Sequence, residues 1–173
     1  MARLRVVGKA ICIVSGGQTG VDRACLAWAI RRGFNHGGWC PRGRLAENGE
    51  IPARYKLRQT PLPRYAQRTA WNVRDSDATV IFSQSGKLSG GSRKTWESCR
   101  NFGKPVLHLA GDTFTVVESA VLLRRFLRRH GIRTLNVAGP RQSQEPRAGG
   151  FARSVLDATF GFTSGAKQGR GGL

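Results

Sequence analysis

Acidic residues are scarce in this chain of 173 residues: 10 Asp and Glu stand against 29 Lys and Arg, and 23 of those 29 are arginine. A formal net charge of +19 repels itself in any compact state, so a polyanion is the expected counterpart. Nucleic acid comes first among such partners, ahead of an anionic membrane surface. Long apolar runs are missing as well. No stretch approaches the ~20 residues that a bilayer-spanning helix needs, which excludes a helical span. Cysteine is sparse: Cys12, Cys25, Cys40 and Cys99 form no CxxC, and no histidine stands at ligand spacing. That pattern argues against a disulfide framework and against structural zinc, and no structural metal is expected. The four read as small buried hydrophobes in a reducing compartment. The three histidines, His36, His108 and His130, read as singletons, so no Ser/His/Asp or Cys/His constellation is visible.

What is present is globular. Hydrophobic residues make up 39% and charged residues 23%, enough to build a core. The length suits one domain, expected over residues 10–162, with a basic tail at 1–9 and a Gly/Lys/Arg tail at 163–173. The first strand-like run begins too early for a signal peptide, so a cytoplasmic or mitochondrial-matrix protein is expected and a secreted one is not. Residues 1–9 read as a short solvated tail, with a transit-peptide remnant as the other reading.

Periodicity predicts strands over residues 10–14, 78–82, 105–109 and 134–137. Helices are predicted over 21–32, 64–74, 93–102, 114–130 and 148–160, with Gly33, Gly103 and Gly131 as stops. The Gly/Pro-rich stretch 35–63 should hold only short elements. Alternating strands and helices mean an α/β fold with a mainly parallel sheet and right-handed crossovers.

Three glycine-containing loops, residues 15–20, 85–92 and 138–143, each follow a strand. In a parallel sheet all such loops share one edge, where helix N-termini present unpaired N–H groups to an anion. Glycine lets the backbone approach a ligand without a Cβ in the way. The first loop is neither GxGxxG nor a P-loop, which disfavours NAD-type and ATPase readings. Thr19 is expected to cap the following helix. Asp22 either complements the helix dipole or touches the ligand.

The run Ser15-Gly16-Gly17-Gln18-Thr19-Gly20-Val21-Asp22-Arg23, followed by Gly37-Gly38-Trp39-Cys40-Pro41-Arg42-Gly43-Arg44-Leu45-Ala46-Glu47, resembles the molybdenum-cofactor carrier family. Residues 67–77 and Leu135-Asn136-Val137-Ala138-Gly139-Pro140-Arg141 extend the resemblance from about residue 10 to 160. It implies a three-layer αβα Rossmann-like fold, a homo-oligomer, and a pocket for a molybdenum cofactor or nucleotide. By position, the resemblance implies Gly16, Gly17, Gln18, Thr19, Gly90, Gly91, Ser92 and Arg141 as phosphate-binding residues. A related group, the phosphoribohydrolases, carries PGGxGTxxE, whose glutamate serves N-glycosidic cleavage. Glu97 falls at that position, but Ser89 replaces the proline and Arg93 the inner glycine, which weakens a nucleotide N-glycosidase reading. Non-catalytic, carrier-like binding is the expectation.

The alternative starts from the charge. Wound at 100° per residue, the helix over 114–130 gathers Arg124, Arg125, Arg128 and Arg129 opposite its apolar members. With Lys167 and Arg170 in the tail, these are RNA-binding candidates for a structural subunit of a large ribonucleoprotein, such as a mitochondrial ribosome, with a vestigial pocket. No aromatic–basic interleaving of the RRM or OB type and no helix-turn-helix or zinc signature is visible, so non-sequence-specific contact is expected.

Overall fold

The short run Ile11 to Val14 alternates fully and partly buried positions, enough for one strand threading a core. In the computed structural model, which describes residues 11–162, it forms β1 (Cys12–Val14), followed by α1 (Val21–Arg32) and β2 (Asn35–Gly37). Four two-residue strands come next: β3 (Trp39–Cys40), β4 (Leu45–Ala46), β5 (Gly49–Glu50) and β6 (Arg58–Gln59). Then α2 (Tyr65–Arg74), β7 (Ala78–Ser83), α3 (Gly90–Asn101), β8 (Val106–Ala110), α4 (Val116–His130), β9 (Thr134–Ala138) and α5 (Ala148–Phe160) alternate. The two tails, with Lys167 and Arg170, lie outside the described residues.

The main sheet runs β2-β1-β9-β7-β8 with every pairing parallel. β7 reads Ala-Thr-Val-Ile-Phe-Ser and is buried at all six positions, as a strand covered on both faces must be. Helices α1, α5 and α4 share one face, where Val21, Trp28, Leu123, Ala152 and Leu156 join the sheet's residues in the main core. On the other side α3 lies on β7 and α2 packs beside it. The result is the three-layer Rossmann-like α/β arrangement expected. Trp28 is fully buried between Phe34 and Phe160, and its indole N–H donates to Asp157 Oδ1 at 2.9 Å, so a large ring is buried without an orphan donor.

Three expectations change. β2, Asn-His-Gly, joins the main sheet as its edge strand, although nothing apolar marked it as more than a loop. α3 begins at Gly90, not Arg93, so Gly90, Gly91 and Ser92 form its first turn and the loop before it ends at Ser89. α4 begins at Val116 behind a capping box: Thr115 accepts from the Glu118 N–H while Glu118 accepts from the Thr115 N–H.

Candidate functional site

Residue 16 has no side chain, and the space a Cβ would fill is taken by a guanidinium. A Cβ on Gly16 would lie 1.7 Å from Arg68 Nη1. Arg68 comes from α2, and Nη1 continues to Asp22 Oδ2 at 2.9 Å on the first turn of α1. Both side chains are mostly hidden, 12% and 7% exposed. Burial pushes the Asp22 carboxyl up from its ordinary value, and the Arg68 charge with the Gln18 N–H works against that shift. Asp22 lies in the first turn of α1, where the dipole favours its charge, and on the cleft wall, where Arg68 already engages its carboxylate. It holds Arg68 in place.

Around this pair lies a cleft of about 60 Å³ at the strands' C-terminal edge. That is room for a phosphate-sized group, or about two waters at ~30 Å³ each. Gly16 and Gln18 line it from the first loop, Gly91, Ser92 and Thr95 from α3, and Gly139, Pro140 and Arg141 from the loop after β9. The wall is polar although buried: Gln18, Asn72, Ser92, Thr95 and Asn136 are all 6% exposed or less. Buried polar groups without partners are costly, so their partners identify what the cleft is for. Asn72 is satisfied, exchanging two bonds with the Trp39 backbone. Asn136 donates to Thr79 Oγ1 at 3.1 Å, and Thr95 donates to the Gly91 carbonyl. Gln18 is not: its Oε1 accepts from the Thr19 and Glu47 N–H groups, while Nε2 has no partner among the described residues.

The three glycine loops do converge, but the helix starts differ. At α1 the Val21 N–H is taken by the Pro140 carbonyl, and at α5 the Ala148 N–H by the Glu145 carbonyl. The N-cap of α3, Ser89, gives its helix no side-chain hydrogen bond. Among the described residues the N–H groups of Gly90, Gly91 and Ser92 have no acceptor, and Gly91 and Ser92 line the cleft at the positive end of the helix dipole.

Of the residues implied by resemblance, Gly16, Gln18, Gly91, Ser92 and Arg141 line the cleft. Gly17 does not; it sits at φ +76° against Leu57 and Ile51, packing under the loop. Gly90 sits at the start of α3 with φ +50°, near Gln144. Thr19 does not cap α1, whose N-cap is Gly20. Its hydroxyl donates to Glu47 Oε1 and accepts from the Gln142 N–H, because the hairpin β4–β5 folds back onto these loops. Glu47 also accepts from Ser143 Oγ and N–H, which holds its carboxyl below the usual range. Arg23 braces the first loop from behind, donating to the Gly17 carbonyl and Asn48.

Glu97 stands apart from the cleft. It pairs with Arg93 at 3.0 Å on the exposed side of α3, beside a separate depression. Arg125, Arg128 and Arg129 are exposed on α4, whereas Arg124 is half-buried and donates to the Ala158 carbonyl at 2.8 Å. His108 is not the singleton expected, since Nε2 lies 2.6 Å from Ser83 Oγ. Neither Arg68 nor Asn72 stands out in the sequence, though both lie in the stretch 67–77 and share one face of α2 at i, i+4 spacing.

Among the described residues no three His, Cys, Asp or Glu come together as metal ligands, and no helix is long and apolar enough to cross a membrane. The profile of the circularly permutated YpsA SLOG family matches residues 13–160. A crystal structure from Syntrophus aciditrophicus SB, of a candidate molybdenum carrier protein, superposes with a TM-score of 0.85 at 41% identity, covering 87% of this chain and 96% of that one. Among curated proteins none matches.

Proposed function

This chain belongs to the circularly permutated YpsA SLOG family, and from that premise we propose that it binds a phosphate-bearing small molecule in the cleft, carrying it without transforming it. The observation that carries the reading is Gln18 Nε2, a buried donor with no partner among the described residues, in the same cleft as the start of α3. A buried orphan donor costs about 1–3 kcal/mol, a cost that an anionic oxygen between Gln18 and the α3 N–H groups would remove. Arg68 supplies a fixed positive charge at the cleft floor, and Arg141 supplies another at the rim.

The relative's name points to a molybdenum compound, and the donor set fits the phosphate end of a pterin cofactor or a nucleotide. Gln18, Ser92 and Arg68 would hold that phosphate, and the metal chemistry would belong to the group itself. The cleft is too small to enclose a ring system, so the rest of the ligand would lie outside it. The N-glycosidase reading gains nothing from Glu97, which faces a different depression.

The test is thermal denaturation with added inorganic phosphate, AMP and GMP, with mass spectrometry of whatever the purified protein releases on unfolding. A ligand at 100 times its dissociation constant raises stability by about 2.7 kcal/mol. Gln18→Leu should remove that gain, at a lower basal midpoint because the Thr19 and Glu47 N–H groups lose their acceptor. Equal stabilisation of Gln18→Leu and the parent protein would sink the reading.

A further inference from the structure

Arg58 sits over Trp39, its Cζ 4.1 Å from the ring centroid, and its charge acts on the nearby Asp75 carboxylate, yet none of its side-chain N–H groups has a protein hydrogen-bond acceptor among the described residues. Trp39 meets Trp71 edge to face at 4.7 Å, and Arg74 covers Trp71 with its Cζ at 4.6 Å. The four form one continuous array, Arg58–Trp39–Trp71–Arg74, drawn from β6, β3 and α2. Asp75 holds it together. One carboxylate oxygen accepts from the Trp39 indole N–H at 2.8 Å, and the same group takes two bonds from Arg74. Asn72 fixes the Trp39 backbone from below.

We propose that this array is a binding face for single-stranded nucleic acid, distinct from the cleft and independent of what the cleft holds. A guanidinium pinned on an indole has already lost its rotamer freedom. Its outer face can stack an unpaired base, and its N–H edge can bond a phosphate. Arg58 is the free member, because its edge is unused. The surroundings match the charge of such a partner: residues 39–75 hold eight basic residues against three acids. Of those acids, Glu47 is turned to Ser143 and Asp75 is spent on the array, leaving Glu50. The same deficit runs through the chain, since ten acids cannot neutralise 29 basic residues. A duplex would hide its bases from the array, so unpaired strands are the fitting ligand. An anionic membrane fits less well, because both indoles are lidded by guanidinium groups and not exposed for insertion.

The test uses the full chain and a fluorescent single-stranded RNA of about 15 nucleotides, read by anisotropy beside a duplex of the same length and phosphatidylserine vesicles. The single strand should bind more tightly than the duplex and quench tryptophan emission in a Trp96→Phe background, since Trp39 and Trp71 stand in the array, Trp28 is buried, and Trp96 lies half-buried on α3 away from it. The pair Arg58→Lys and Arg74→Lys keeps the charge and loses the stack, and should weaken binding about tenfold. Arg58→Lys alone, at a side chain with no hydrogen-bond acceptor among the described residues, should lose a part of that and shift the thermal midpoint little. Removing Arg125, Arg128 and Arg129 as alanines should lower the salt dependence yet keep the preference for single strands. Parent-like binding by the lysine pair, equal binding of duplex, or capture by vesicles without RNA binding would each overturn the proposal.

Discussion

Arg68 reaches from α2 to Asp22 on α1, Nη1 to Oδ2 at 2.9 Å, through the space a side chain on residue 16 would occupy. The contact joins two helices 46 residues apart and forms the floor of the cleft. A ligand's anion thus meets a charge already fixed by its counter-ion, not a mobile arginine that must first be ordered.

Arg68→Ala leaves Asp22 buried without its partner and should cost about 3 kcal/mol. The sign of its pH dependence follows from burial. The folded Asp22 carboxyl titrates above its ordinary value, and without Arg68 it rises further. A raised carboxyl contributes no loss below the unfolded pKa and progressively destabilises as pH rises toward the folded one. Urea midpoints of the variant should therefore fall from acid toward neutral pH more steeply than those of the parent. Matching slopes would show that the pair is not coupled.

Gly16 and Gly17 are neighbours with different tasks. Gly16→Ala should expel Arg68 and reproduce the pH dependence just described, with loss of phosphate binding. Gly17→Ala meets Leu57 Cδ1 at 2.6 Å on a backbone at φ +76° and should cost about 1–2 kcal/mol while sparing the cleft. Isothermal titration with the ligand, alongside melting curves, separates the two. Equal loss of binding in both variants would contradict the division.

Glu47 clasps Ser143 and Thr19 from the hairpin β4–β5, and those hydrogen bonds hold its carboxyl below the ordinary value of 4.5. A lowered carboxyl stabilises fully above its unfolded pKa and loses that contribution as pH falls through the folded one. Protection of the amides of residues 45–50, taken relative to their intrinsic exchange rates, should fall once the pH drops below 4.5, and Glu47→Gln should show low protection already at neutral pH. Protection that stays flat with pH would mean the hairpin is held by something else.

Thr115→Ala removes one half of the α4 capping box and should cost about 1 kcal/mol, or roughly 2–4 °C in melting temperature for a chain of this size. The cleft lies away from α4, so ligand binding should be unchanged at temperatures where the protein is folded. A cost near zero would mean that packing of α4 on α5 sets the helix start by itself.

The elements were largely legible in the chain. α1 and α5 fall at residues 21–32 and 148–160 as periodicity predicts, and Gly33 takes the left-handed conformation its stop requires. β2 was not legible, because a three-residue edge strand of Asn, His and Gly has no buried face to leave a pattern. The start of α3 was misjudged because glycines read as loop, whereas Gly90 and Gly91 here sit in the first helical turn. At the site, the loop sequence pointed to Gln18 and Ser92, but Gly17 and Thr19 proved to face packing and hairpin partners instead.

Local sequence determined the order of strands and helices, their glycine stops, the loops at one sheet edge and the family motifs. It also determined the excess of arginine, which is a matter of composition alone. Tertiary structure alone decided that Arg68 would meet Asp22, that Gln18 Nε2 would be buried without a partner, and that Arg58, Trp39, Trp71 and Arg74 would stack. The reason is physical: periodicity records which face of its own element a side chain occupies, and carries no record of the distant side chain that comes to lie against it.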